Sequence, residues 1–276
     1  MIRLLQIEWF KLFHHRISRI LIISYFLLIS GVSLLATVKV KFGPIDFHLA
    51  EQGIFNFPYI WHFNAYMIAT LKIFFAIIIV AMIANEFSYK TLKQNLIDGL
   101  SKKEFLLTKV YTILSFVIVS TFVVFLVSLI LGLLYSDFNE WGIIFSDLEY
   151  LLAYAVKLFG FFSLCLFFGV WIKRSAFALG MLILWQVAEG ILYGLIRWNV
   201  SEAFADKANA LFPLNAMGNI LKEPISRLSA IQNVADQIGE GINKDYGVNP
   251  LELLIVLAWS AIFIYGSYRI LQKRDL

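Results

Sequence analysis

The chain has 276 residues, of which 60% are hydrophobic and 15% are charged, and its mean hydropathy is +0.78. This balance excludes an ordinary soluble domain, in which about 25% of the residues are charged. The net charge is +4, and the single cysteine, Cys165, excludes an intrachain disulfide or a cysteine cluster. The composition instead predicts an all-α, polytopic integral membrane protein, because each membrane-spanning helix needs about 20 mostly apolar residues.

The first predicted element is an amphipathic helix over residues 1–17. At 100° per residue, its apolar face includes Trp9, and its opposite face is basic and includes Lys11. Such a pattern is typical of a helix that lies in the membrane interface before the chain enters the bilayer. A basic flank that only sets the orientation of the next helix is the alternative.

Six apolar segments follow that are long enough to span a bilayer. They cover residues 18–38, 63–85, 106–135, 150–172, 175–197 and 251–271. The segments on one side of these spans carry 14 Lys and Arg against five Asp and Glu, whereas those on the other side carry seven against 13. The positive-inside rule therefore predicts that both termini are cytoplasmic.

A polar hairpin over residues 86–105 separates the second and third spans. A helix could continue from Glu86 and place Lys90 on the same face at i,i+4, in the favourable order for an ion pair. Gly99 fits a helix stop, and Ser101-x-x-Glu104 is a capping-box pattern that starts the next helix. A helix, a sharp corner and a second helix are therefore predicted on the cytoplasmic side.

Three ionisable residues, Lys72, Lys157 and Glu189, fall inside the predicted spans at a similar depth in the outer leaflet. Charges at this depth are costly and normally have partners. A Lys157–Glu189 ion pair is one hypothesis. The alternative is that the lysines extend outward along their stems, which leaves only Glu189 in need of a partner.

The predicted extracytoplasmic loop, residues 198–250, is too short for an enzymatic domain and is expected to cap the outer mouth of the bundle. Motifs of hydrolases or metalloproteases are absent from the sequence, as is a Gly-x4-Gly-Lys-Ser/Thr loop that could hold nucleotide phosphates. We therefore expect no enzymatic activity, no metal, no directly bound cofactor and no nucleic-acid partner.

The hairpin resembles the segment after the second membrane helix of ABC-2-type permeases, the membrane subunits of one class of ATP-driven exporters. The similarity lies in the closing acid Glu86, the stretches Lys90-Thr91-Leu92 and Gly99-x-Ser101-Lys102, and the entry Leu106-Leu107-x-Lys109. The N-terminal Glu8-x-x-Lys11, followed by Arg16, resembles the family's opening, and six spans complete the similarity over residues 1–276. One departure is Gly99-Leu100, where the family often has a proline.

The resemblance implies a single transmembrane domain that forms half of a pore in a bacterial cytoplasmic membrane. A second copy or a paralogue would complete the pore, and separate ATP-binding cassette subunits would use ATP and Mg. The hairpin would be the coupling helix, and the N-terminal helix, with Glu8, Trp9, Lys11 and Arg16, would brace the assembly. The coupling residues would be Glu86, Lys90, Thr91, Leu92, Leu96, Gly99, Ser101, Lys102, Lys103 and Glu104.

Two other classes of function stay open from the sequence. A membrane scaffold could dock a cytoplasmic partner through the same hairpin without moving a substrate. A gradient-driven secondary transporter could use Glu189 as an ion site, although internal repeats and broken helices are typical of that class. Few charges in the spans favour a hydrophobic or amphipathic cargo.

Overall fold

The computed structural model describes residues 2–35, 40–42, 45–47, 53–138, 140–228, 231–232, 237 and 244–274. This part of the chain is almost entirely helical, apart from one two-stranded antiparallel ribbon in which Lys41 pairs with Asp46. The strands are β1 (Val40–Phe42) and β2 (Ile45–Phe47). The helices are α1 (Ile2–His14), α2 (Arg16–Leu35), α3 (Tyr59–Ala69), α4 (Ile73–Ser88), α5 (Thr91–Ile97), α6 (Lys102–Tyr135), α7 (Trp141–Ile144), α8 (Glu149–Ile172), α9 (Ser175–Asn199), α10 (Glu202–Asn209), α11 (Pro213–Asn219) and α12 (Pro250–Lys273).

Five helical stretches are long and apolar enough to cross a membrane within the described residues. They are Tyr59–Ser88, Lys102–Tyr135, Trp141–Ile172, Ser175–Asn199 and Pro250–Lys273. Helices α1 and α2 are bent by 89° relative to each other, and the count becomes six if this bent pair is one span. The chain is thus a helical membrane protein. The end of the predicted first span, residues 36–38, lies outside the described residues.

The second span is not one regular helix. A 3₁₀ turn, Thr70–Lys72, separates α3 from α4, so that the break falls at one of the charged residues inside the span. The Thr70 hydroxyl donates to the carbonyl of Met67 at 2.6 Å. Because a 3₁₀ turn often marks a strained or functional position within a helix, this break draws attention to Lys72.

Helix α8 is the centre of the bundle and packs against α4, α6, α9 and α12. Two of its glycines allow these helices to come close. A Cβ atom on Gly160 would lie 2.6 Å from Val256 Cγ1, and one on Gly169 would lie 3.2 Å from Ile83 Cδ1. Membrane helices use small residues in this way because close backbone packing, rather than the hydrophobic effect, drives their association.

The basic segments meet at one end of the bundle, which we call the hairpin end. The Lys102 ammonium donates to the carbonyl of Arg274 at 2.8 Å, the Arg274 guanidinium donates to the carbonyl of Trp171 at 2.8 Å, and Lys173 lies over the Phe87 ring. The hairpin, the α8–α9 link and the C-terminal tail are therefore neighbours.

The predicted outer segments meet at the opposite end of the bundle. There, the Tyr59 hydroxyl donates to the carbonyl of Pro224 at 2.7 Å, and the Trp61 indole donates to that of Ile144 at 2.8 Å. The Tyr150 hydroxyl donates to the carbonyl of Tyr246 at 3.1 Å. The loop after α9 is thereby attached to α3 and α8, which agrees with its expected position over the end of the bundle.

Candidate functional site: the charged base of the hairpin

Four charged side chains form a compact cluster where the hairpin joins the bundle. We call Glu8, Lys11, Glu86 and Lys109 the charge quartet. The Lys109 ammonium lies 2.6 Å from Glu8 Oε2 and 3.0 Å from Glu86 Oε1. The Lys11 ammonium lies 3.0 Å from Glu86 Oε1 and 3.2 Å from Glu8 Oε1. Each lysine thus bridges both carboxylates, and the quartet is electrically neutral.

The quartet is buried apart from Lys11. Lys109 is 0% exposed, Glu86 4% and Glu8 5%, whereas the Lys11 side chain is 44% exposed. The second oxygen of Glu86 accepts a hydrogen bond from the hydroxyl of Thr91, the first residue of α5. Buried charges persist when pairing and further hydrogen bonds offset their desolvation, and this cluster provides both.

The backbone explains why Glu86 points to the quartet and not along the hairpin. Helix α4 ends at Ser88, and Lys90 adopts a left-handed conformation with φ of 58° before α5 begins at Thr91. The predicted continuous helix from Glu86 is therefore wrong, and so is the predicted Glu86–Lys90 pair. The i,i+4 relation holds only within an unbroken helix.

The second half of the hairpin follows the sequence patterns closely. Gly99 has φ of +98°, its N–H donates to the carbonyl of Leu96, and the N–H of Leu100 donates to that of Asn95. This is a Schellman motif, which confirms the predicted stop at Gly99. The Ser101 side chain accepts from the N–H of Glu104 at 3.2 Å, and Glu104 Oε2 accepts from the N–H of Ser101 at 2.9 Å. The predicted capping box is thus confirmed.

The hairpin has an inner side and an outer side. Leu92 is buried and Leu96 is half-buried against the core, and Lys102 holds the C-terminal tail. Two large side chains, Tyr89 and Ile97, are 74% and 75% exposed. The other exposed hairpin residues from the predicted set are Lys90, Gly99, Ser101, Lys103 and Glu104.

The N-terminal helix contacts the bundle through two residues of its predicted apolar face, Trp9 and Leu12. Trp9 lies with its ring centroid 5.2 Å from that of Phe116 on α6, and Leu12 is buried. Lys11, which was placed on the outer basic face, bonds to the quartet instead, because Glu8 on its own helix and Glu86 across the interface both attract it. Arg16 is exposed at the start of α2.

Glu189 does not pair with Lys157, so that hypothesis is wrong. Its carboxylate accepts hydrogen bonds from the backbone N–H groups of Leu214 at 3.0 Å and Asn215 at 3.1 Å. The Trp185 indole at 2.7 Å and the Asn215 side-chain amide at 3.0 Å complete its contacts. Glu189 is therefore the N-terminal cap of α11, where free N–H groups and the helix dipole favour a negative charge.

Lys157 lies at the other end of the same short helix. Its ammonium is 3.4 Å from the carbonyl oxygen of Gly218 in the last turn of α11 and 5.7 Å from the centre of the Tyr66 ring. The ammonium of Lys72 is 4.3 Å from the centre of the Phe161 ring. The three intramembrane charges thus meet backbone and aromatic groups rather than one another.

Sequence reasoning named all four members of the quartet but did not bring them together. The sequence did contain a signal for this cluster. Glu86 closes α4 and Lys109 lies in the first turns of α6, and a short hairpin between the two helices brings such positions close together. The cap formed by Glu189 also had a signal: Pro213 marks a helix start, and Phe212 before it carries no side chain that could cap the helix.

The long apolar helices define the chain as an integral membrane protein of the helical class. More narrowly, the chain belongs to the family described as "Protein of unknown function (DUF2705)", whose model matches residues 27–276. This match includes Glu86, Lys109 and Glu189 and begins after α1. A comparison with curated proteins gave no match.

Proposed function

We propose that the chain is the permease subunit of an ATP-binding cassette exporter of the ABC-2 type. It would form half of a translocation pathway, span the bacterial cytoplasmic membrane six times and keep both termini in the cytoplasm. A second copy or a paralogue would supply the other half. ATP and Mg would be used by a separate ATPase docked on the hairpin.

The observation that carries the proposal is the charge quartet at the base of the hairpin. Glu86 is in the last turn of α4, Lys109 is near the start of α6, and Glu8 is on α1. The two spans that flank the hairpin are thus joined by buried ion pairs at the point where the hairpin leaves the bundle. A force applied to the hairpin would reach both spans together, which is what coupling to an ATPase requires.

The exposed side of the hairpin supports docking of a protein. Tyr89 and Ile97 are large side chains in a segment that lies beyond the apolar part of the spans, and Lys90, Lys93 and Lys103 are exposed around them. Aromatic anchors surrounded by polar residues are typical of protein interfaces. A scaffold that docks a partner without transport would use the same surface.

The state of Glu189 gives less support to a gradient-driven carrier. A coupling-ion site needs a carboxylate that is available to a proton or a cation. Glu189 already accepts four hydrogen bonds, two of them from the backbone of α11. Protonation would weaken this cap, so the carboxylate is better explained as a structural group.

The proposal is tested by isolating the tagged chain from its native membrane in mild detergent. The informative variant is Lys93→Glu/Ile97→Glu, because both side chains are exposed and outside the quartet, the Schellman motif contacts and the capping box. Phe204→Glu/Lys207→Glu is the matched control, since it also replaces one large apolar residue and one lysine with glutamate, on exposed residues of α10. We expect an ATP-binding cassette subunit to co-purify with the native chain and the control, and not with the hairpin variant.

Two results would contradict the proposal in different ways. If no ATPase co-purifies with the native chain while known complexes of the same membrane stay intact, the exporter assignment is wrong. If the ATPase co-purifies equally with the hairpin variant, the chain has such a partner but the hairpin is not its docking site. Recovery of a partner without ATP-binding motifs, at the hairpin alone, would favour the scaffold.

A further inference from the structure

Two lysines in the middle of the bundle have no acidic partner among the residues that the structure describes. Lys157 is 7% exposed, and its hydrogen bond to the carbonyl of Gly218 is long at 3.4 Å. Lys72 is partly exposed and contacts the Phe161 ring. The ion pairs within the described part of the chain include neither lysine.

The Lys72 ammonium contacts α8 one helical turn from Lys157. Phe161 follows Lys157 by one helical turn, so the two side chains lie on one face of that helix. Since the Lys72 ammonium lies 4.3 Å from the centre of the Phe161 ring, it is close to the face that carries Lys157. Lys72 is the last residue of the 3₁₀ turn between α3 and α4.

The described residues place no negative charge beside the ammonium groups of Lys72 and Lys157. Glu189, which lies at a similar depth in the predicted spans, already accepts hydrogen bonds from the N-terminus of α11. Aromatic rings attract a cation, but they do not cancel its charge. Charged residues at this depth are costly without a counter-charge and commonly mark a substrate or ion path. A bound anion would supply the counter-charge that the described residues do not provide.

We propose that Lys72 and Lys157 bind the phosphate-bearing head group of a membrane-embedded amphiphile. The partly exposed Lys72 would be reached from the bilayer, and Lys157 would hold the anion from within the bundle. The acyl chains would lie beside Ile73, which is exposed next to Lys72. This inference names a substrate class and rests on the proposed transport function in that respect, whereas the binding itself can be measured on the chain alone.

The test uses the purified full chain in vesicles of dioleoyl phosphatidylcholine. Traces of spin-labelled phosphatidic acid or spin-labelled phosphatidylcholine are added, and electron paramagnetic resonance gives the ratio of their association constants with the protein. We expect the native chain to prefer phosphatidic acid. The variant Lys72→Met/Lys157→Met should lose this preference by about fivefold for each lysine. The variant Lys72→Arg/Lys157→Arg, which keeps the charges, should retain most of it.

Two further variants keep the result interpretable. In Lys72→Met alone, at the more exposed position, the preference for phosphatidic acid should fall about fivefold even if replacement of Lys157 impairs folding. The control Lys90→Met/Lys93→Met also removes two positive charges, but from the exposed hairpin, and should keep the preference. Displacement of the labelled phosphatidic acid by inorganic phosphate would identify an aqueous anion as the natural ligand, and its failure would identify the lipid head group.

Equal preference for phosphatidic acid in the native chain and the double methionine variant would overturn the inference, because the two lysines would then make no contribution to binding of the head group. Because the vesicles contain no ATPase, this result is independent of the co-purification experiment. If the chain prefers phosphatidic acid but no ATPase co-purifies, the anion site stands and the exporter assignment is wrong. If an ATPase co-purifies but the chain shows no lysine-dependent preference for phosphatidic acid, the exporter assignment stands and the proposed substrate class is wrong.

Discussion

The hairpin end and the middle of the bundle solve the same electrostatic problem in different ways. At the hairpin end, Glu8 and Glu86 are matched by Lys11 and Lys109, so that opposite side chains compensate one another. In the middle of the bundle, Glu189 is matched by the N–H groups of α11. One cluster is held by ion pairs between elements, and the other by the end of a helix.

The way in which its buried charges are compensated indicates what each region can do. An ion cluster that joins α1, α4 and α6 keeps these helices together, so it suits a place where force enters the bundle. A carboxylate held by backbone groups needs no lysine, which leaves Lys157 and Lys72 without an acidic partner in the described part of the chain. The cap on α11 is thus what makes the two lysines available to an external anion.

Removal of Lys109 should have the largest effect on stability. Lys109→Met leaves two buried carboxylates facing each other with only the half-exposed Lys11 between them, and we expect the free energy of unfolding to fall by about 3–5 kcal/mol. Unfolding by sodium dodecyl sulfate in mixed micelles, followed by tryptophan fluorescence, measures the change. Lys103→Met, an exposed position on the same helix, is the control and should change stability by less than about 0.5 kcal/mol. A loss for Lys109→Met as small as that of the control would show that the quartet does not hold the helices.

Glu189→Gln should have an intermediate effect. The amide keeps one acceptor oxygen but places an NH₂ group against the N–H groups of α11, and we expect a loss of about 2 kcal/mol. The sharper measurement is a double-mutant cycle with Lys157→Met. Because Glu189 and Lys157 contact opposite ends of α11, the two losses should add to within about 0.5 kcal/mol.

The same cycle at the hairpin end provides the contrast. Glu86→Gln and Lys109→Met remove groups that touch, so their coupling energy should be about 1–3 kcal/mol. Equal coupling energies in both cycles would contradict the difference between the two regions. A large coupling energy for Glu189 and Lys157 alone would indicate a direct ion pair between them.

Local patterns were sufficient to predict five of the six proposed spans, the helix stop at Gly99 and the capping box at Ser101 and Glu104. Each depends on residues within a few positions of one another, and the physical rule acts over the same distance. The break before α5 was missed because the left-handed conformation of Lys90 has no signature in that residue type, which carries a Cβ and normally avoids it.

Partners distant in sequence could not be assigned in the same way. Glu86 is 75 residues from Lys11 and 23 from Lys109, and the nearby Lys90 offered a local partner that sequence reasoning preferred. For Glu189, the search for a partner considered only side chains of opposite charge. The N–H groups of α11 were equally good partners, but their position depends on how the loop after α9 folds back onto the bundle.

The smallest effect is expected at Gly160, which lets α11 and α12 approach α8. In Gly160→Ala the new methyl group would lie 2.6 Å from Val256 Cγ1 and 3.2 Å from Met217 Cε, and we expect a loss of about 1 kcal/mol because α11 and α12 would have to move slightly away from α8. Gly180→Ala on α9 is the matched control. Among the residues that the structure describes, no heavy atom lies within 4 Å of its new Cβ, so alanine should leave stability unchanged or raise it by up to about 1 kcal/mol.

Since Met217 belongs to α11, a shift of this helix would also move its N–H groups away from Glu189. Gly160→Ala and Glu189→Gln should therefore be less than additive, because the cap is already weakened in either variant alone. Gly160→Ala and Lys109→Met act in separate clusters and should add. Additivity of all three changes would mean that α11 keeps its place without the cap, and that the compensation of Glu189 by backbone groups contributes little to the bundle.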